Sequence, residues 1–388
     1  MPSQLRIVIP LGITQTLAWA SSYYLPAILA DPIARDLDLT PNWIFGAFSA
    51  ALVISGMLGP RVGRQIDLIG GRWVLSASNV VLAGGLVALA FTHSITMLLV
   101  AWALLGVGMG LGLYDAAFGA LGRIYGQSAR SAITGVTLFA GFASTIGWPL
   151  TSLGLGSIGW RETCLAWAAM HIVIGLPLNL IFIPKTSRSE ASSADDGKPR
   201  IPMDRSMILL AFAFAAAWTV TGAMAAHFPR ILEAAGVSPG QAILAGALIG
   251  PAQVAARIAE AGFLSRYHPL MSTRLACLSH PVGAILIGIF GSPAAMALAI
   301  LHGAGNGILT IARGTLPLAI FGPGNYAYRL GLLGAPSRVA QAVAPFAFAI
   351  LIEKIGLGVL IVSSALSLSA LAALLLLRPE RSSPDGNS

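Results

Sequence analysis

The chain has 388 residues, 56% of them hydrophobic and only 10% charged, with a formal net charge of +8. A soluble domain carries roughly 25% charged residues, so most of this surface faces lipid, and a soluble protein with an enormous core fails on surface-to-volume grounds. The basic residues are scattered through short loops rather than gathered on a nucleic-acid-binding face, and the two cysteines, Cys164 and Cys277, exclude a disulfide scaffold or a Cys-rich metal site.

A bilayer core takes roughly 20 apolar residues per helix. Runs of that kind fall near 6–29, 43–61, 73–92, 95–121, 132–156 and 162–183, then near 207–230, 240–262, 271–290, 293–320, 330–352 and 355–377. The first run follows Arg6, is long enough to span, and does not look like a cleavable signal. The pattern predicts an all-α membrane protein of about twelve transmembrane helices in two six-helix bundles. The expected organisation is an N-terminal bundle over 1–183, a linker over 184–206, a C-terminal bundle over 207–377 and a tail over 378–388. The linker stretch PKTSRSEASSADDGKPRIPMDR is rich in Ser, Pro and charge, as flexible connectors are. With the N-terminus inside, the inner loops hold Arg61, Arg64, Arg72, Arg123, Arg130, Arg266 and Arg274 among others, and the opposite loops hold only Arg35, Arg161, Arg230 and Lys354. This asymmetry predicts that both termini are cytoplasmic.

The two halves echo each other. Gly106-x-Gly108-x-Gly110 in the fourth span meets Gly303-x-Gly305-x-Gly307 in the tenth, and YYLPAIL (23–29) meets AHFPRIL (226–232). GPRVGRQI (59–66) echoes GPAQVAARI (250–258), and Pro149 pairs with Pro345. Four matches in one order predict a duplicated six-helix unit, the halves being pseudo-symmetric about an axis along the membrane normal.

The loop after the second span reads GRQIDLIGGRWVL and carries Gly63, Asp67, Gly70 and Arg72. It resembles the signature loop of the major facilitator superfamily, Gly-x-x-x-Asp-Arg-x-Gly-Arg-Arg, with Leu68 and Gly71 in place of two of its arginines. Gly159-Trp160-Arg161 before the sixth span is a second habit of that family. The resemblance implies a secondary transporter whose halves rock around a central site, with Gly63, Asp67, Gly70 and Arg72 as a conformational latch. Two departures count. Drug–proton antiporters of the family carry an Arg upstream of the Gly-rich run of the fourth helix, where this chain has Trp102. Their fifth-helix Gly-Pro motif is only partly kept, in Gly141, Gly147 and Pro149.

Intramembrane charge is costly and tends to act. Asp115, Arg313 and Arg338 are the deep candidates, and the glycine register places Asp115 opposite Ala312, one residue from Arg313. That register predicts either an ion pair between the halves or, for Asp115 at the inner boundary, a bond to Arg123 or Arg130. His302, Asn306 and Arg313 share a helical face, as do Arg338 and Gln341, and Gln15, Trp19 and Tyr23 recur at four-residue steps. Gln15, Trp19, Tyr23, Asp115, Asn306, Arg313, Arg338 and Gln341 are therefore the expected cavity residues, with Asp115 as the proton carrier. Trp218, Thr219, Thr221 and His227 partly mirror the first-helix stripe, and Gln253, Arg257 and Glu260 form either a boundary pair or a gate. The cysteines read as small buried hydrophobes, the other reading being thiolate contacts to a trivalent arsenical.

Phosphate-cradling, zinc-binding and nucleophile-elbow signatures are absent from the sequence, which predicts neither an enzyme nor a cofactor or metal. The expectation is a monomer in a bacterial inner membrane, partnered by protons, a small-molecule substrate and lipid but not by nucleic acid. The partly kept fifth-helix motif favours proton-coupled efflux of a toxic compound such as a drug or an arsenical. Uptake of a small organic anion with protons is the alternative, and a non-transporting membrane receptor is the alternative of another class.

Overall fold

The computed structural model describes residues 4–186 and 201–377, so the expectations for the middle of the linker and for the tail lie outside the described residues. Among the described residues, sixteen α-helices build twelve spans. The first runs through α1 (Leu5–Ala18), a π-helical turn (Trp19–Tyr23) and α2 (Pro26–Asp36). The second and third are α3 (Pro41–Ile69) and α4 (Gly71–Ala90). The fourth is split into α5 (Ile95–Gly112) and α6 (Tyr114–Tyr125), and the fifth into α7 (Ala129–Ala140) and α8 (Ala143–Ile158). The sixth holds α9 (Trp160–Met170), a second π-helical turn (His171–Gly175) and α10 (Leu176–Phe182). The second half is more regular: α11 (Arg205–Ala234), α12 (Pro239–Gly262), α13 (Pro269–Phe290), α14 (Ala295–Phe321), α15 (Tyr326–Ile355) and α16 (Val359–Leu375).

Among the described residues nine helical stretches are long and apolar enough to cross a membrane, and two of them, Ile95–Ile158 and Tyr326–Leu375, each hold two spans joined by a tight turn. The ends follow local chemistry. Ser94 and Asp204 cap α5 and α11 by accepting the N–H groups of Met97 and Met207, at 3.3 and 2.8 Å. Pro41, Pro239 and Pro269 open helices at positions whose N–H would be unpaired anyway. Gly70, with φ +84°, ends α3, and Gly159, with φ +93°, ends α8; both conformations favour glycine.

The apolar core is partitioned by half. One cluster draws almost wholly on the first six spans, and two others lie within residues 207–377. The glycine repeats play equivalent parts in each. A Cβ on Gly106 would lie 2.7 Å from the carbonyl of Ala51 on α3, and one on Gly303 would lie 2.6 Å from that of Ile249 on α12. Gly108 approaches Leu82 on α4, and Gly305 approaches Ala276 on α13. In both halves the fourth span thus packs backbone-close against the second and third, as small residues permit in lipid.

The halves meet chiefly where α3 and α6 pack on α15, and α7 packs on α12 and α14. These contacts lie toward the end that carries the 69–71 turn, called the basic end below. The segments at the opposite end, α2 and α8, make their extensive contacts within their own half. The second span is longer than its hydropathy suggests, because α3 continues past 61 through GRQID to carry Asp67 onto α15.

Candidate functional site

The fourth span breaks between α5 and α6, inside its apolar run. Leu113 is extended (φ −78°, ψ −171°), and a new helix starts at Tyr114. Ala116 and Ala117 donate to the carbonyl of Leu113. The carbonyl of Gly112 is left without a helical donor, and the Nε2 of Gln15 takes it at 2.5 Å. Asp115 stands in the first turn of α6, where the unpaired N–H groups and helix dipole favour an anion. The apolar stretch MGLGLYDAAF (109–118) thus tolerates a carboxylate because Asp115 sits at a helix start, not mid-helix.

Its partners come from the other half. The Nε and Nη2 of Arg313 donate to the two carboxylate oxygens of Asp115 at 2.6 and 2.7 Å, a bidentate pair. The Nη2 of Arg338 lies 3.9 Å from the same carboxylate. The side chains of Arg313 and Arg338 are 3% and 4% exposed, that of Asp115 20%. Two buried cations against one anion leave a positive surplus at the half-interface. Arg130, one of the two boundary partners weighed for Asp115, instead pairs with Glu260 at 2.7 Å. A cavity of about 10 Å³, lined by Ser55, Gly59, Met109, Asp115, Gly331 and Arg338, adjoins the pair; it has room for about one water.

Around this pair the two halves present different chemistry. The second half contributes Trp218, whose ring lies 4.8 Å from the Arg313 guanidinium, and Gln341, which accepts from Arg338 at 3.3 Å. The Nε2 of Gln341 also donates to the hydroxyl of Tyr23 across the interface, at 2.8 Å. The first half contributes rings. Trp19 packs on Tyr23 and Tyr114, with centroids 5.0 and 4.8 Å apart, and Tyr23 packs edge-on to Phe48 at 5.4 Å. Phe48 continues to Trp102 at 5.6 Å. The residue that stands in place of the antiporter arginine is therefore part of an aromatic wall. Phe48 and Tyr114 escaped the sequence reading, since single aromatics in apolar runs carry no period.

Of the expected cavity residues, the structure gathers Trp19, Tyr23, Asp115, Arg313, Arg338 and Gln341. Gln15 serves the helix break. Asn306 is placed elsewhere: its side-chain oxygen accepts from Thr221 at 2.9 Å, and with His280, His302 and Cys277 it lines a cavity of about 20 Å³ inside the second half. Asn306 shares a face with Arg313, but seven residues at 1.5 Å each put them about 10 Å apart along the helix. His227 lies within 2.7 Å of the carbonyl of Pro345. Cys164 and Cys277 are free and buried, one in each half. No group of three His, Cys, Asp or Glu suited to a metal occurs among the described residues.

At the basic end Asp67 reaches the first turn of α15 and accepts the N–H groups of Ala327 and Tyr328, at 3.1 and 2.8 Å. The helices approach closely enough there that a Cβ on Gly63 would collide with the carbonyl of Ala327. Gly70 supplies the turn, and Arg72 lies over Trp73, its Cζ 5.8 Å from the ring. A second bridge lies across the bundle, where Arg130 donates to Glu260 and to the carbonyls of Leu264, Ser265 and Tyr267 beyond the end of α12. Arg257, weighed as a boundary residue or a gate, is buried and donates across the halves to the carbonyl of Thr137 at 2.9 Å.

The fold has solved counterparts. The human organic anion transporter MFSD10 (TETRAN) superimposes with a TM-score of 0.71 at 17% identity, over 96% of this chain and 100% of that one. The proton:xylose symporter XylE, solved with 6-bromo-6-deoxy-D-glucose, superimposes with a TM-score of 0.71 at 12% identity, over 95% of this chain and 94% of that one. At such identities the likeness is one of fold. No curated protein sequence is significantly similar to the chain. The sequence profile of the Major Facilitator Superfamily matches residues 11–299. With that match over most of the chain, and with the fold and signature loop in agreement, this multi-pass membrane protein belongs to the major facilitator superfamily.

Proposed function

We propose that the chain is a proton-coupled symporter of a small organic anion, working by alternating access. One observation carries this reading: two buried guanidiniums on the second half share a single carboxylate, Asp115, on the first. An anionic substrate competes with Asp115 for those donors. A proton on Asp115 removes the competitor, so proton and anion bind together, and by linkage each tightens the other. The sign is fixed: anion affinity rises as pH falls. In Asp115→Asn the carboxylate is gone and that pH dependence goes with it. Asp67 and its helix start serve as the latch of the state closed at the basic end, which we assign to the cytoplasmic face on the Lys/Arg asymmetry. Turnover without a cofactor, as a monomer in a bacterial inner membrane, completes the proposal; a receptor would bind the anion and move no protons.

A second reading, proton-coupled efflux of a toxic compound such as a drug or an arsenical, is supported by Gly147 and Pro149 within α8. Proteoliposomes with a luminal pH dye separate the two. In symport, a membrane-impermeant organic anion added outside acidifies the lumen, and Asp115→Asn abolishes the signal. Alkalinisation by added substrate, or resistance to a toxicant panel lost in Asp115→Asn, favours efflux. Acidification that persists in Asp115→Asn removes this residue from the coupling.

A further inference from the structure

The chemistry split between the halves narrows the anion, on the footing of the symport reading. We infer that the substrate is a small aromatic carboxylate, its ring against the wall of Trp19, Tyr23 and Phe48 and its carboxylate on Arg313 and Arg338. Three observations meet here. First, the wall belongs to one half and the guanidiniums to the other, so a ligand with a ring at one end and a carboxylate at the other joins both halves, as a cargo that travels with their rocking must. Second, three buried donors at the seam have no hydrogen-bond partner among the described residues: the Nη1 of Arg313, the Nε of Arg338 and the indole N–H of Trp19. Buried donors call for an acceptor, and a carboxylate supplies two oxygens. Third, the ring of Trp19 lies 5.9 Å from the Arg338 guanidinium, so wall and charge adjoin.

Other ligand classes fit less well. A sugar needs several free amide or hydroxyl partners, yet Gln341 is held at both ends by Tyr23 and Arg338, and of the Gln15 amide the Nε2 is spent on Gly112 and the Oε1 alone lacks a partner among the described residues. A cation meets two buried arginines. An aliphatic acid satisfies the arginines but forgoes the ring-on-ring geometry that the wall offers. In the closed state the cavity beside Asp115 has no room for a ring. Admission therefore requires the halves to part at mid-depth, breaking the Tyr23–Gln341 bond.

The test is binding to the full-length protein in lipid nanodiscs at mildly acidic pH, by calorimetry, with benzoate, cyclohexanecarboxylate and benzyltrimethylammonium as probes. Benzoate should bind about tenfold more tightly than cyclohexanecarboxylate, as one ring–ring contact implies, and the cation should not bind. Trp19→Leu and Phe48→Leu should erase that preference while sparing cyclohexanecarboxylate, and Arg338→Gln should weaken both acids. Phe48 contacts no charged group among the ring and ion-pair partners described, so Phe48→Leu keeps the test readable if Trp19→Leu does not fold. Equal affinity for the two acids, or a preference unchanged in both leucine variants, overturns the aromatic inference and leaves the anion reading standing. Binding of the cation alone, of neither acid, or of both acids undiminished in Arg338→Gln overturns the anion reading as well.

Discussion

Asp115 and Arg313 are joined by two charge-assisted hydrogen bonds, with the guanidinium buried and the carboxylate mostly so. Removing one member of a buried pair costs about 3–5 kcal/mol, because the survivor is left charged and unpaired. Arg313→Gln should lower thermal stability in detergent and abolish transport, whereas the reversed pair Asp115→Arg with Arg313→Asp should restore part of both. Restoration no better than either single change would leave the pairing unsupported. Gly334 gives a gentler probe: a Cβ there would lie 2.9 Å from the Arg313 Nη2 and 3.0 Å from an Asp115 oxygen. Misplacing the pair without deleting it, Gly334→Ala should cut transport about tenfold or more, with the protein still folded; unchanged uptake would show that the pair tolerates displacement. The pairing itself was legible because the glycine repeats fix a register between the halves, and depth follows from register. Arg338 as third member and Gly334 as the floor were not, since both depend on how closely α15 approaches.

Spans were readable from hydropathy because lipid demands long apolar runs. The interruption at Gly112 was hidden by the same logic: a break costs no apolar residue, and a glycine run reads as helix packing. Two groups make the break tolerable. Gln15 bonds the freed carbonyl, and the absence of a side chain at position 112 lets α4 approach, since a Cβ there would collide with the hydroxyl of Ser78. Gln15→Leu leaves a buried carbonyl unpaired, a cost of about 1–3 kcal/mol. It should lower the melting temperature and loosen the start of α6, read as faster amide exchange around 113–117. Gly112→Ala should be worse, and Ser78→Gly should recover part of the loss by removing the colliding side chain. Equal damage in the single and double variants would place the fault in the backbone of the break rather than in the clash.

At the scale of the whole molecule, the basic end is closed by two bridges of opposite polarity. A carboxylate, Asp67, sits on the N-terminal N–H groups of α15, and a guanidinium, Arg130, sits on the carbonyls beyond the C-terminus of α12. Each charge meets the helix end of complementary sign, an arrangement worth about 0.3–1 kcal/mol at exposed ends and up to about 2 where partly buried. A bistable fold needs contacts of this size: much stronger ones would trap one state. Asp67→Asn should move the equilibrium about fivefold toward opening of the basic end, on about 1 kcal/mol. Arg130→Gln should move it further, because it also strips the buried Glu260 carboxylate of its partner. Because the two bridges join different helix pairs, their free energies should add and the double variant should exceed either single one. Spin labels at Gln127 and Gly324, exposed on the two loops that face each other there, report the separation directly. Short distances should dominate in the parent protein and longer ones grow in the order single, then double variant. A double variant no more open than either single one would mean that the two bridges break as a unit. Short distances retained in all three would mean that closure rests on the glycine-lined seam of α3 and α15, with the charges idle.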